Sequence, residues 1–367
     1  MFSFFKRAGP PAVFVIRQRI DHLAAGVFVI EDIKISKTGQ AIVVLQSLLP
    51  NENDVEIRRH EIEETVASIK GVQKAMVILT GQRKPSAPVV PEKKAKSSTS
   101  DMDGLPPVVI AVASGKGGVG KSTVAVNLAV ALSKMGKKVG ILDADIYGPS
   151  LPRLLGAKDQ KAEQGADGKL QPIDAHGLKA MSMGFLVNEE TAMIWRGPMV
   201  QSALLQMLRD VNWAGLDILV IDMPPGTGDI HLTLAQRVPL SGGVVVSTPQ
   251  DIALIDARKG LEMFQKVAVP ILGIVENMSY YCCAQCGHRE DIFGHGGARA
   301  EADKIGVPFL GEIPLHSMIR SMSDAGTPVT LSAAQSEQAK AFQHIAERVL
   351  SGITAAQRPA PTIHMED

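Results

Sequence analysis

The stretch GKGGVGKST, Gly115 to Thr123, lies between the apolar run PVVIAVAS and the run KSTVAVNLAVALSKMG. It fits the phosphate-binding pattern G-x-x-x-x-G-K-[ST], which carries weight when a buried strand precedes it and a helix follows. Gly115, Gly117, Gly118 and Gly120 let the backbone turn so that successive N–H groups, that of Val119 included, face phosphate oxygens. Lys121 is placed to reach the β- and γ-phosphates, and the Ser122 hydroxyl to ligate Mg²⁺, with Thr123 beside it. The opening of the helix adds a partial positive charge. A glycine-rich turn without a ligand is the bland alternative, and the motif and its flanks together outweigh it.

Outward from this loop, strands alternate with helices. PVVIAVAS is apolar on both faces, as a strand inside a parallel sheet must be. In the helix that follows, Val124, Leu128, Ala131, Leu132 and Met135 recur at helical spacing, and Gly136 ends it. KVGILDA, LDILVID, GGVVVST, PILGIVEN and VPFLGEIP read as further strands. Helices are expected around Val200–Val211, Asp229–Val238, Ile252–Val267, Gly297–Gly306 and Ala334–Leu350, the last turning Phe342, Ile345, Val349 and Leu350 inward. This alternation predicts an α/β fold with a doubly wound, mostly parallel sheet over residues 108–353.

Before it, GVFVIEDIKI and AIVVLQSLL flank the turn SKTGQ as a hairpin. NENDVEIRRHEIEETVASIKG follows as a helix with Val55, Ile62, Val66 and Ile69 on one face, Gly71 stops it, and VQKAMVILT adds a strand. Residues 1–83 are thus expected to form a small α+β domain, 84–107 a Pro-, Lys- and Ser-rich linker, and 354–367 a disordered tail. MFSFFKRAGPPAVF lacks an apolar core ahead of a small-residue cleavage site and reads as the start of the mature protein, with a transit peptide the weaker alternative.

Composition limits the function classes. The 367 residues carry 38 basic and 38 acidic side chains, so no global field favours nucleic acid or an anionic membrane. No apolar run approaches the roughly 20 residues of a membrane span. All 3 cysteines sit together, which argues against a disulfide framework and for a reducing, cytoplasmic setting.

Two acidic motifs fall at strand ends, where open α/β sheets bind ligands. ILDADIYGPS places Asp143 and Asp145 just past one strand, and LVIDMPPGTGD ends another on Asp222. Such aspartates orient Mg²⁺ through water, and Asp145 is positioned to aim an attacking water. A strand-end turn is the plain reading of either alone; two downstream of a phosphate loop favour the functional one. Lys116 is either a solvated surface lysine or a charge that reaches the nucleotide of a facing subunit.

YCCAQCG, Tyr281 to Gly287, holds Cys282, Cys283 and Cys286. The Cys283–Cys286 spacing lets two thiolates converge on one metal, with a redox pair, a zinc knuckle completed by His288, or chance as rivals. Two thiolates are half of a four-ligand site; two chains about a twofold axis supply four, enough for one [4Fe–4S] cluster.

Taken together, GKGGVGKST, DADIYGPS, IDMPPGTGD, STPQD, ENMSYYCCAQCG and IFGHGGA resemble, over about Val108 to Leu350, the Mrp/ApbC family of iron–sulfur cluster carriers. That family belongs to the deviant-Walker P-loop ATPases, with MinD, ParA and the nitrogenase iron protein. The resemblance implies a homodimeric ATPase of slow, regulatory activity that passes a cluster from an assembly scaffold to apo iron–sulfur proteins, without nucleic-acid or membrane partners. It makes Lys116 the signature lysine acting across the dimer, Lys121, Ser122 and Thr123 the phosphate and Mg²⁺ residues, and Asp145 an aid to hydrolysis. Asp222 falls in switch II, Asn277 where relatives recognise adenine, and the cluster cysteines on Cys283 and Cys286, with Cys282 extra. The N-terminal unit resembles the small MIP18-like (DUF59) domain of many members, but LLPNENDVEIRR lacks its cysteine and no Asp-Pro pair precedes the helix, which argues for docking rather than cluster handling. A MinD- or ParA-like positioning ATPase is the alternative, and would call for a basic amphipathic C-terminal helix, which AKAFQHIAERVL is not. A dimer held by structural zinc is the other, separable by metal analysis.

Overall fold

The computed structural model describes residues 13–36, 39–48, 52–80, 102, 104–166, 168–187, 197–283 and 285–356. They form two compact units, one of Met1–Thr99 with Val187–Gln206, the other of Ser100–Leu186 with Met207–Asp367. Most of the expected linker, and residues 357–367 of the expected tail, lie outside the described residues.

The smaller unit contains α1 (Val13–Ala24), β1 (Phe28–Ile35), β2 (Gln40–Ser47), α2 (Glu52–Ala67) and β3 (Lys74–Thr80). β1 and β2 are antiparallel and β2 and β3 parallel, in the order β1-β2-β3. The expected hairpin is there, although Lys37 and Thr38 of its turn lie outside the described residues. Strand alternation divides the side chains: Val43, Leu45 and Val77 join Ile16, Ile20, Ile62 and Val66 of the helices on one face. Ile42, Val44 and Ile78 point to the other face, where Met199 covers them. Gln206 donates from Nε2 to the Val77 carbonyl at 3.3 Å. Val187 and residues 197–206, expected within the 108–353 domain, therefore cluster with the smaller unit. Helix α1 has no counterpart in the sequence reading, because its VFVI start resembles a strand, while Ile16, Ile20 and Ala24 carry its buried helical stripe.

The larger unit is built on nine strands. Its elements are β4 (Val108–Ser114), α3 (Lys121–Lys134), β5 (Val139–Asp143), α4 (Leu151–Leu154), β6 (Ile173–Ala175), β7 (Leu178–Ser182), the end of α5 (Gly197–Asp210, which belongs to the smaller unit up to Gln206), β8 (Ile218–Pro225), α6 (Asp229–Arg237), β9 (Gly242–Ser247), α7 (Asp251–Lys266), β10 (Ile271–Cys282), β11 (Arg289–Glu290), α8 (Gly297–Ile305), β12 (Phe309–Leu315), α9 (Ser317–Asp324), α10 (Val329–Ser332) and α11 (Glu337–Ala356). The strand order is β11-β10-β9-β4-β8-β5-β7-β6, with β12 also on β10. Only β6 and β11, both at the margins, run antiparallel to their neighbours. β4 is flanked by β8 and β9, while its helix α3 leads to β5 beyond β8. The chain thus winds both ways from β4, and the loop after β4 opens at that switch point. All five strands expected after β4, and the five expected helices, are present; α11 runs to Ala356, three residues into the stretch expected as a tail, because Ile353 is buried. No helix among the described residues is long and apolar enough to cross a membrane.

Asn127 fastens α3 to the C-terminal helices. It is buried, donates from Nδ2 to the Thr123 carbonyl at 2.9 Å, and accepts at Oδ1 from the Thr330 amide at 3.1 Å and hydroxyl at 2.8 Å. Asn127→Ala leaves both Thr330 donors buried without an acceptor, and should lower the unfolding free energy by about 2–4 kcal/mol in urea titrations of the full chain. An unchanged midpoint and slope would contradict this account.

Candidate functional site

β4 ends at Ser114 and α3 begins at Lys121, so the expected loop lies at the carboxyl end of a central strand. Gly118 and Gly120 hold φ of 82° and 80°, a backbone region that side chains disfavour. Two glycines are also fixed by contact. A Cβ on Gly115 would fall on the Asp256 backbone of α7, and one on Gly120 would strike the Asn277 carboxamide.

Lys121, on the first turn of α3, is 6% exposed. Its Nζ lies 2.6 Å from Asp222 Oδ1 and 3.3 Å from Ser122 Oγ. Asp222 and Asp143 are neighbours across the β5–β8 ladder, both buried. Asp143 is the last residue of β5 rather than lying past it, and Asp222 sits inside β8. Burial pushes the Asp222 carboxyl above its ordinary value, opposed by Lys121. Burial, then the Asp222 charge, push Asp143 up to about 7, although it accepts from the amides of Asp145 (3.1 Å), Ser150 (3.0 Å) and Leu151 (3.1 Å). The Ser182 hydroxyl adds a fourth donor at 3.2 Å. Asp145 is half-buried and accepts from Gly148 N–H at 3.2 Å, an aspartate turn that keeps its carboxylate beside the site. The hydroxyl of Ser122 and the carboxylates of Asp222 and Asp143 form an all-oxygen donor set that suits a hard cation such as Mg²⁺.

Lys116 is half-buried and, among the described residues, makes no side-chain hydrogen bond or ion pair; its carbonyl accepts from Ser114 Oγ at 2.9 Å. The Pro-Pro-Gly loop after Asp222 reaches this loop too, through Gly226 N–H to the Ser114 carbonyl at 3.0 Å. His231 closes it from α6, its Nε2 lying 2.8 Å from the Pro224 carbonyl.

Asn277, which the resemblance implies for adenine, donates from Nδ2 to the Val119 carbonyl at 2.8 Å and so holds the phosphate loop directly. Its neighbour Met278 has φ of 55°, at a register shift between β10 and β12. Strain of this kind persists where surrounding contacts over-determine the backbone. Glu276, fully buried, accepts from Ser279 Oγ at 2.6 Å, Gly296 N–H at 3.1 Å and Ala298 N–H at 2.7 Å. It thereby caps α8 and ties the IFGHGGA motif to β10.

The end of β10 forms a hairpin with β11, Tyr281 opposite Glu290 and Cys282 opposite Arg289. Cys283 and Cys286 stand in its turn, closed by Cys283 N–H to the His288 carbonyl at 2.9 Å and Gly287 N–H to the Cys283 carbonyl at 2.8 Å. The amides of Cys286 and Gln285, then the Cys286 thiol, hold the Cys283 thiol below its ordinary value. This knuckle is suited to thiolate ligation. Among the described residues no group of three or more His, Cys, Asp or Glu is arranged to hold a metal, so His288 does not complete a site with the two thiols.

Sequence reasoning missed Glu276, Arg289, His295 and His231. Arg289 lies 3.9 Å over the Tyr280 ring and places Nη2 3.1 Å from His295 Nδ1, which itself lies 3.2 Å from Ser279 Oγ. The available signal was Glu276, a lone charge in the apolar run PILGIVEN.

The profile of a family described as NUBPL iron-transfer P-loop NTPase matches residues 107–350. The iron–sulfur cluster carrier protein of Haemophilus influenzae is 58% identical over 241 residues, 66% of this chain and 65% of that one. That of Escherichia coli is 57% identical with the same coverage. The iron–sulfur cluster transfer protein NUBPL of Dictyostelium discoideum is 52% identical over 243 residues, 66% of this chain and 75% of that one. The alignment thus spans just under two thirds of the bacterial relatives. Among solved structures, a nucleotide-binding protein of Archaeoglobus fulgidus in complex with ADP superposes with a TM-score of 0.55 at 42% identity, covering 62% of this chain and 89% of that one. The cell division ATPase MinD of Pyrococcus furiosus shares the fold, with a TM-score of 0.51 at 24% identity over 66% of this chain and 98% of that one. Sheet order, phosphate loop and sequence agree: the chain belongs to the NUBPL iron-transfer family of P-loop NTPases.

Proposed function

We propose that the chain is an iron–sulfur cluster carrier whose hand-over is coupled to slow ATP hydrolysis. A homodimer binds a [4Fe–4S] cluster as cargo between two Cys283/Cys286 pairs and passes it to apo iron–sulfur proteins. The observation that carries this reading is the knuckle itself. It presents two thiols with sulfur-directed amides and, among the described residues, no third ligand. A four-thiolate site therefore needs a second copy. The names of its relatives support the carrier role, and the ADP in the Archaeoglobus structure supports a nucleotide at the phosphate loop.

In this reading the amides of Gly115–Thr123 and Lys121 take the phosphates, Ser122 holds Mg²⁺ with Asp143 and Asp222 behind it, and Asp145 orients water. Mg²⁺ supplies charge neutralisation at the phosphates when bound. Lys116, without a partner in its own chain among the described residues, reaches the nucleotide of the second copy. Asn277 links the two sites, holding the phosphate loop from the strand that ends in the thiol hairpin.

After anaerobic reconstitution, the Cys283→Ala, Cys286→Ala variant should lose the visible absorbance of the cluster, while Cys282→Ala keeps it. Undiminished absorbance in the double variant would sink the proposal. Lys116→Gln should bind ATP as the unchanged protein does but hydrolyse it about 10²–10³-fold more slowly; equal turnover would return Lys116 to a surface role. Asp143 gives a pH signature. Its ordinary value is 3.8 and its folded value about 7, so the unfolded chain releases a proton that the folded chain keeps. Its ionisation therefore subtracts stability as pH rises from about 4 to 7, and no further above. The melting temperature of nucleotide-free Asp143→Asn, relative to the unchanged protein, should accordingly be higher at pH 8 than at pH 5, and a pH-independent difference would refute this.

A further inference from the structure

His231 is a buried titratable group that the scheme above does not use. It is 2% exposed, on the first turn of α6, just past the loop that follows Asp222. Two bonds from this residue close that loop: its amide donates to the Gly228 carbonyl at 3.0 Å, and its ring approaches the Pro224 carbonyl at 2.8 Å through Nε2. A carbonyl only accepts, so the ring proton sits on Nε2 and Nδ1 bears a lone pair. That Nδ1 is buried and has no hydrogen-bond partner among the described residues. An orphaned acceptor at such depth calls for an explanation, because natural structures rarely leave one.

The surroundings supply it. The same loop is bonded to the phosphate-loop strand through Gly226 N–H and the Ser114 carbonyl at 3.0 Å. Its root, Asp222, is engaged by Lys121. A phosphate that draws Lys121 away from Asp222 frees the root of the loop to move. Burial, and behind it the Lys121 charge, hold the ring below the ordinary histidine value, so it meets that movement uncharged.

We infer that His231 is the positioning residue of the Pro224–Gly228 loop: Nε2–H fixes the Pro224 carbonyl, and Nδ1 is the acceptor for a loop donor that arrives when the phosphate site fills. The Thr227 hydroxyl and the amides of Thr227 and Gly228 are the donors within the same turn. A charged ring would have a proton at both nitrogens and lose the second function. This inference rests on ATP hydrolysis at the phosphate loop, and its test separates the two.

Three full-length proteins decide it: the unchanged chain, His231→Gln and His231→Leu. Glutamine keeps a side-chain N–H and a carbonyl acceptor of similar reach; leucine keeps bulk and loses both. His231→Leu should bind ATP with little change in KM while kcat falls roughly tenfold or more, as expected for a misplaced catalytic loop. His231→Gln should recover most of that loss. Ring ¹⁵N shifts of histidine-labelled protein should show Nε2 protonated and Nδ1 bare, with the Nδ1 signal moving upfield when ADP or a non-hydrolysable ATP analogue is added with Mg²⁺. Leucine turnover equal to the unchanged chain, a glutamine variant no better than leucine, or an Nδ1 signal indifferent to both nucleotides each overturns the inference. Absence of ATP turnover in the unchanged chain overturns the hydrolysis reading instead, and the nitrogen shifts then still decide on the ring.

Discussion

A lysine on the buried first turn of a helix requires a counter-charge, and Asp222 supplies it at 2.6 Å. Removing either partner would strand the other in a poorly solvated site, a far larger penalty than any net gain from the pair. That requirement accounts for much of the larger unit. β4 must sit beside β8 to bring loop and aspartate together, and β5 must sit on the other side of β8 to bring Asp143 alongside. The result is two carboxylates and one ammonium in a site with few charges to spare. Four donors converge on Asp143, yet burial and the Asp222 charge still push its carboxyl up to about 7.

β10 is the second organising element. Within a dozen residues it carries Glu276 on the α8 cap, Asn277 on the phosphate loop, a left-handed Met278, and the thiols just past its end. Asn277 and Cys283 are six residues apart, with the left-handed Met278 between them. The strand thus runs from the phosphate-loop contact to the thiol hairpin. The kink at Met278 is where it departs from the register of β12. Arg289, stacked on Tyr280 and lodged against His295, ties the hairpin back to the sheet.

Much of this was legible in the sequence because the relevant signals are local. Apolar runs marked the parallel strands, Gly136 and Gly71 marked helix ends, and the phosphate loop carried its own spacing. What escaped was either short or dependent on distant partners. The β6–β7 hairpin turns on His176 and Gly177, both with positive φ, and is a two-residue loop that a closer reading of DAHGLK would have found. Helix α1 escaped because β-branched residues crowd its start. The start of α5 escaped for a different reason: nothing local says that Met199 will lie on Ile42, Val44 and Ile78. Glu276 and His231 belong to the same class. A buried polar residue takes its meaning from what it faces, and the sequence does not say what that is.

The two sites differ in burial for reasons that their chemistry requires. Phosphate recognition gains from fixed donors in a dry setting, where each charge counts for more. Lys121, Asp143 and Asp222 are accordingly sealed in. A cargo that must leave cannot be sealed in. Cys286 is exposed and Cys283 half-buried, and the stabilisation of the Cys283 sulfur comes from amides of its own turn rather than from a surrounding protein wall. A knuckle of that kind can ligate without a cavity. It also leaves half of a four-thiolate coordination sphere open. The thiols at and past the end of β10 are therefore accessible, while the charged groups around the phosphate loop are buried.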